Sequence, residues 1–193
     1  MKKHVIFSLL LLAVAGASAC TNKQGTSESP VFILVDLTLQ PGFVNINAKA
    51  PVQIQTISLT SHLKSPKATD PLAFATVSLT SYTVHFRRTD GGTRVPSDKT
   101  FGCGVIITAG GSAALSNFPI LAASDTQLSP FDQLIPFNGG VDRETNRTEI
   151  QMTFDITFFG NGASGFRVQS ETASGILLFQ FSGGTPLSRV TRS

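Results

Sequence analysis

His62 and His85 are the residues best placed to move protons, because imidazole is the one ordinary side chain that titrates near neutral pH. A hydrolytic triad would set one of them between a Ser nucleophile and an orienting Asp. The chain has Ser and Asp in number but no G-x-S-x-G elbow, and no strand-turn-helix pattern that could carry one. His85 alternates with Val84 and Phe86, which predicts a strand position facing solvent or the second sheet face, and His62 is expected in a loop. Both read as surface histidines, and no catalytic residue is assigned. A hydrolase built on His62 or His85 with a nearby Asp, in the loops at one end of the fold, is the alternative.

Asp132, Asp142 and Glu144 fall in or near one long connection, where carboxylates could gather around calcium. They lack EF-hand spacing and a glycine-aspartate repeat, so they read as turn-forming acids. Cysteine and histidine are too few and too scattered for a zinc site. The glycine pairs at 91–92, 110–111, 139–140 and 183–184 read as turns, since none joins a strand to a helix as a phosphate-cradling loop does. Neither a metal nor a cofactor is assigned. Arg87-Arg88 is the densest basic pair and is expected at a solvated strand end.

The elements that would position these residues are strands. No window carries apolar residues at helical spacing with caps at both ends, whereas period-two runs recur between Gly, Pro, Asn and Asp clusters. Val31 to Leu39 places Val31, Ile33, Val35, Leu37 and Leu39 on one face, and Pro41-Gly42 ends the run. In Val52–Thr60 the apolar parity changes between Ile54 and Ile57, and in Phe74–Arg88 it changes between Leu79 and Tyr82. A strand's side-chain period of two cannot absorb such a change, which predicts irregularities near Thr56 and Ser81. Asp90-Gly91-Gly92 is expected to make a tight turn into a return strand at Arg94-Val95. Further strands are expected over Gly102–Thr108, Ser112–Phe118, Ile150–Phe158, Phe166–Ser170 and Gly175–Phe181, with Gly160-Asn161-Gly162 as a turn and a short helical turn at Phe131–Leu134. Eight or nine strands of this kind predict an all-β, antiparallel two-sheet β-sandwich, immunoglobulin-like but without the Cys…Trp…Cys signature. There is no Trp, one Tyr and 15 Phe, a composition for a closed core rather than an aromatic recognition surface.

The beginning of the chain carries the clearest motif. Lys2 and Lys3 precede an apolar run, Val5–Val14, and small residues Ala15 to Ala19 follow. This is the order of a secretory signal peptide, and the run is too short to span a bilayer, which takes about 20 residues. Ala17-Ser18-Ala19-Cys20 resembles the lipobox of bacterial lipoproteins, with Ala17 where Leu is usual. The resemblance covers residues 1–20. It implies that the leader is cut before Cys20, that the Cys20 thiol carries a diacylglycerol, and that this lipid holds the protein on a membrane of the cell envelope. Thr21 stands where an Asp would resemble the inner-membrane retention signal, so the resemblance favours the outer membrane. Ala17-Ser18-Ala19 also reads as an A-x-A site for ordinary secretion, which would leave Cys20 free and a Cys20–Cys103 disulfide open.

The expected organisation is a signal peptide at 1–19, a lipidated cysteine and polar tether at 20–30, a β-sandwich at 31–183 and a tail at 184–193. Of the 15 Lys and Arg, Lys2 and Lys3 belong to the leader, which leaves 13 against 12 Asp and Glu. A near-neutral mature chain gives no support to a nucleic-acid partner. The expected function is a non-catalytic envelope lipoprotein whose domain binds an envelope protein or a glycan, or serves as a structural module.

Overall fold

The computed structural model describes residues 29–39, 42–64, 75–163 and 165–183. Nine strands appear among them: β1 Val31–Leu39, β2 Gly42–Asn45, β3 Val52–Leu63, β4 Val77–Arg88, β5 Lys99–Ile107, β6 Ser112–Leu121, β7 Glu149–Gly162, β8 Arg167–Gln169 and β9 Ala173–Gln180. They form a three-stranded sheet, β1-β3-β6, and a six-stranded sheet, β2-β9-β7-β4-β5, with β8 on β7. The two sheets pack into a β-sandwich. Lettered in the immunoglobulin manner, β1, β3 and β6 take the A, B and E places, while β9, β7 and β4 take G, F and C, so the topology is immunoglobulin-like.

The pairings are antiparallel with one exception, since β2 runs parallel to β9. β1 ends in the three-stranded sheet at Leu39, and Gly42 already begins the strand at the edge of the other sheet. Four residues, Gly-Phe-Val-Asn, carry too little alternation to announce β2 in the sequence.

Both expected irregularities are present. The β4 register shifts between Leu79 and Ser81 against β5 and β7 alike, and the buried parity passes from Val77 and Leu79 to Tyr82, Val84 and Phe86. On β3 the buried parity passes from Ile54 to Ile57, and the pairing with β1 shifts at Leu37/Leu39, opposite Ile57 and Thr56. Other expectations are corrected. His62 lies in β3 rather than in a loop. Arg94 and Val95 sit in an irregular connection, and β5 begins only at Lys99, where the chain can alternate beyond Pro96. Gly160-Asn161-Gly162 is the end of β7, and the chain turns after it. The short helical turn at Phe131–Leu134 is present as a 3₁₀ helix.

The core is made where the two apolar faces meet. Ile33, Ile54, Ile57 and Leu59 come from one sheet, and Tyr82, Phe86, Phe154, Phe158 and Phe179 from the other, all essentially inaccessible. Tyr82 on β4 knits them together. Its ring lies 4.3 Å from Phe118 of the opposite sheet, 5.1 Å from Phe101 and 5.4 Å from Phe158, centroid to centroid. Its hydroxyl donates to the Pro119 carbonyl on β6 at 2.6 Å. Burial, with the neighbouring Cys103 thiol, pushes the phenol far above its ordinary pKa, so it stays a donor. Tyr82→Phe should cost about 1 kcal/mol, the net value of one such hydrogen bond. The readout is a lower urea midpoint at unchanged slope, and an unchanged midpoint would show that water supplies the bond as well as the phenol does.

Candidate functional site

Register places the ends of the sandwich. Val31 pairs with Leu63, so the chain enters the domain where β3 ends. The opposite pole holds Val52 at the start of β3, Asn45 and Glu149 on either side of Gln180, and Arg88 opposite Met152. Two of the acidic residues singled out in the sequence, Asp142 and Glu144, lie at this remote pole and are organised around Arg88.

Arg88 was expected to be solvated, but its side chain is 1% exposed. It follows Tyr82, Val84 and Phe86 in inward parity, which turns it beneath the 89–98 and 135–148 connections. Its guanidinium holds two carboxylates in forked pairs. Nε donates to Asp90 Oδ1 and Nη2 to Asp90 Oδ2, both at 2.7 Å. Nη2 and Nη1 donate to Asp142 Oδ2 and Oδ1 at 2.9 and 3.3 Å, and Glu144 Oε2 stands 3.5 Å from Nη1. The remaining acceptor capacity is spent on the loops. Asp90 accepts from the Gly92 and Gln151 amides, Asp142 from the Thr145 amide and hydroxyl, and Glu144 from the Thr93 and Arg94 amides.

Burial by itself would push the two buried carboxyls up. The Arg88 hydrogen bonds and charge, joined by the Gly92 and Gln151 amides at Asp90 and by Thr145 at Asp142, together outweigh it and bring Asp142 down to about 2 and Asp90 below its usual range. Burial would likewise lower the guanidinium, and the paired carboxylates raise it instead. An arginine with every donor direction satisfied has nothing left for a ligand, so this cluster is a staple between loops. Asp142 and Glu144 accept from the same guanidinium and do not form an open oxygen cage; Asp132 stands apart, with a buried Oδ1 that has no partner. No group of three or more His, Cys, Asp or Glu able to hold a metal ion occurs among the described residues.

The histidines do not converge. His62 stacks on Phe32 across β1 and β3 with centroids 5.2 Å apart. His85 lies on the other sheet, exposed, with Nδ1 2.6 Å from Asp98 Oδ1. The pair has two members of a triad, and among the described residues no hydroxyl or thiol bonds the ring. Cys103 is free, half-buried in β5, and its thiol is pushed up by burial, which disfavours the reactive thiolate. Cys20 lies outside the described residues.

What the remote pole does offer is a cleft of about 350 Å³, near the lower end of the range typical of ligand sites. Its apolar wall includes Phe43, Val44, Pro51 and Val52, and its polar wall consists of Asn45, Gln53, Gln55 and Asn117. The parity break of β3 makes it. Ile54 pairs with Phe118 and Thr56 with Ser116, so Gln55 and Asn117 come between these pairs, and both are exposed. Asn117 sits at φ 54°, in the left-handed region that Asn tolerates better than most residues. The sequence signalled the break but not the cleft, because the 42–51 segment that forms its other side carries no period. Phe43, 46% exposed, and Phe137, 97% exposed, depart from the closed-core role expected of Phe.

Compared with protein-family models, curated proteins and solved structures, the chain matches none. The immunoglobulin-like description therefore rests on strand order.

Proposed function

We propose that this protein is a non-catalytic cell-envelope lipoprotein, held by lipid on Cys20, whose β-sandwich serves as a binding module. The observation that carries the reading is the cleft at the pole remote from Val31. A chain anchored at Cys20 enters at one end of the sandwich and leaves the cleft at the other, facing away from the bilayer. The stretch from Cys20 to Ser29 can reach at most about 30 Å, so the domain would stay close to the membrane while presenting that pole. Two or more acyl chains would make the attachment stable where one is marginal. The titratable groups add support, since Asp90, Asp142 and Glu144 are consumed by the Arg88 staple and the histidines stand on separate sheets.

Intact-mass analysis of the mature protein, taken from membranes and from medium, tests the anchor. The expected result is a diacylated or triacylated Cys20 in the membrane fraction and release of Cys20→Ala into the soluble fraction. A free Cys20 on soluble protein would overturn the lipoprotein reading. Recovery of the same envelope components by wild type and by the mislocalised Cys20→Ala control would count against a membrane-positioned binding module.

A further inference from the structure

The geometry points to a neutral oligosaccharide as the ligand of the cleft between the 42–51 segment and the β3/β6 parity break, an inference that rests on the binding-module reading. Charge comes first. Among the described residues no Lys, Arg, His, Asp or Glu lines the cleft, and Lys49, between Ala48 and Ala50, is not among its lining residues. A phosphate, a carboxylate or an ammonium would be desolvated there with no counter-charge, which is costly. A ligand that brings many uncharged polar groups fits instead.

The polar wall matches hydroxyls. A primary amide carries both donors and an acceptor, and a sugar hydroxyl is likewise both at once. Asn45 is already committed to the fold, since its Oδ1 accepts from Asn47 and Ser182 and its Nδ2 donates to the Ser182 carbonyl. Gln53, Gln55 and Asn117 have no such commitments among the described residues. They present three unspent amides, two of them brought side by side by the β3–β6 pairing. Phe43, half-exposed, is among the lining residues too, a flat apolar plate of the kind on which the C–H face of a pyranose can rest. A peptide is less well served. It would be held through its main chain along a sheet edge, and β2, the edge beside the cleft, is four residues long. The volume, about 350 Å³, suits a ligand of few rings bound at the end or along the side of a longer chain.

The test uses the full-length protein, isotopically labelled, with the side-chain amide resonances of Gln53, Gln55 and Asn117 followed by NMR. The probes are maltotriose, cellotriose and chitotriose as neutral oligosaccharides, trigalacturonic acid as a charged one, and trialanine as a peptide. The expected result is saturable movement of the three amides with at least one neutral trisaccharide and none with trigalacturonic acid. Phe43→Ala should weaken that response about fivefold to tenfold, in line with loss of one aromatic contact. Asn117→Gly should weaken it about threefold to tenfold, because it keeps the left-handed backbone and removes one hydrogen-bonding amide. Phe137→Ser, outside the cleft, should leave it unchanged. Movement with trialanine alone would overturn the sugar assignment and leave a binding module with a peptide ligand. Movement with trigalacturonic acid as strong as with the neutral sugars would overturn the charge argument. Silence of all three amides toward every probe would overturn the proposal, while recovery of envelope partners through another surface would still uphold the binding module.

Discussion

Arg88→Ala should destabilise the domain by about 3–5 kcal/mol, the cost of stranding buried charges when one partner of an ion pair is removed. Asp90 and Asp142 have side chains 1% exposed and would be left without their counter-ion. Arg88→Lys should rescue only part of the loss, because an ammonium cannot fork to two carboxylates at once. Acid makes the test sharper. In the wild type both carboxyls have folded pKa values below their unfolded ones, Asp142 at about 2. Groups depressed in this way contribute stability above the unfolded pKa and lose it as pH falls through the folded one. The wild type should therefore weaken between about pH 4 and about pH 2, with Asp142 accounting for roughly 2 kcal/mol of the fall. In Arg88→Ala burial, which raises the two pKa values, is opposed only by the Gly92 and Gln151 amides at Asp90 and by Thr145 at Asp142, so both values rise from their wild-type positions. Protonation then relieves the stranded charges, and the variant's deficit should shrink over the pH range where the wild type loses ground. Urea midpoints measured across pH would show it. Parallel acid limbs in the two proteins would mean that the carboxyls do not titrate against Arg88.

Gly160→Ala should cost about 3 kcal/mol, the upper part of what overpacking a well-filled site costs. Gly160 pairs with Leu79 at the β4 register shift, where the strand crowds its neighbour. A Cβ there would meet the Ser78 carbonyl oxygen and come within 2.6 Å of the Leu79 Cα. Both obstacles are backbone, so no rotamer change clears them. Relief requires β4 and β7 to part at the centre of the larger sheet. Gly102→Ala is the matched control, since a Cβ at that position meets nothing within 4 Å. The difference between the two variants in denaturation midpoint reads the close approach, and equal midpoints would show that the β4 irregularity relaxes around a methyl group.

These two positions show how unevenly the sequence speaks. The alternation of Ile150, Met152, Phe154, Ile156 and Phe158 is a period of two written in the chain, and all five are inaccessible as that period requires. The parity breaks at Ile54/Ile57 and Leu79/Tyr82 are equally local, which is why both irregularities could be read before any contact was known. Arg88 carries a local signal too, since it shares parity with Tyr82, Val84 and Phe86. Its neighbour Arg87 and its charge suggest a solvated strand end, and only partners 54 and 56 residues away reverse that suggestion.

By itself the sequence determined the longer alternating strands, their inward faces and the all-β class, because a side-chain period needs only neighbouring residues to declare itself. It also supplied the expectation of a lipid at Cys20, carried by a motif read along the chain. Tertiary structure decided the parallel β2–β9 pairing, the burial of Arg88, the close approach at Gly160 and the cleft. Each is a meeting of segments far apart in sequence: β2 with β9, Arg88 with Asp142, Leu79 with Gly160, and Phe43 with Asn117. Period and composition describe a segment against itself, whereas charge burial and cavity shape depend on what the fold brings against it.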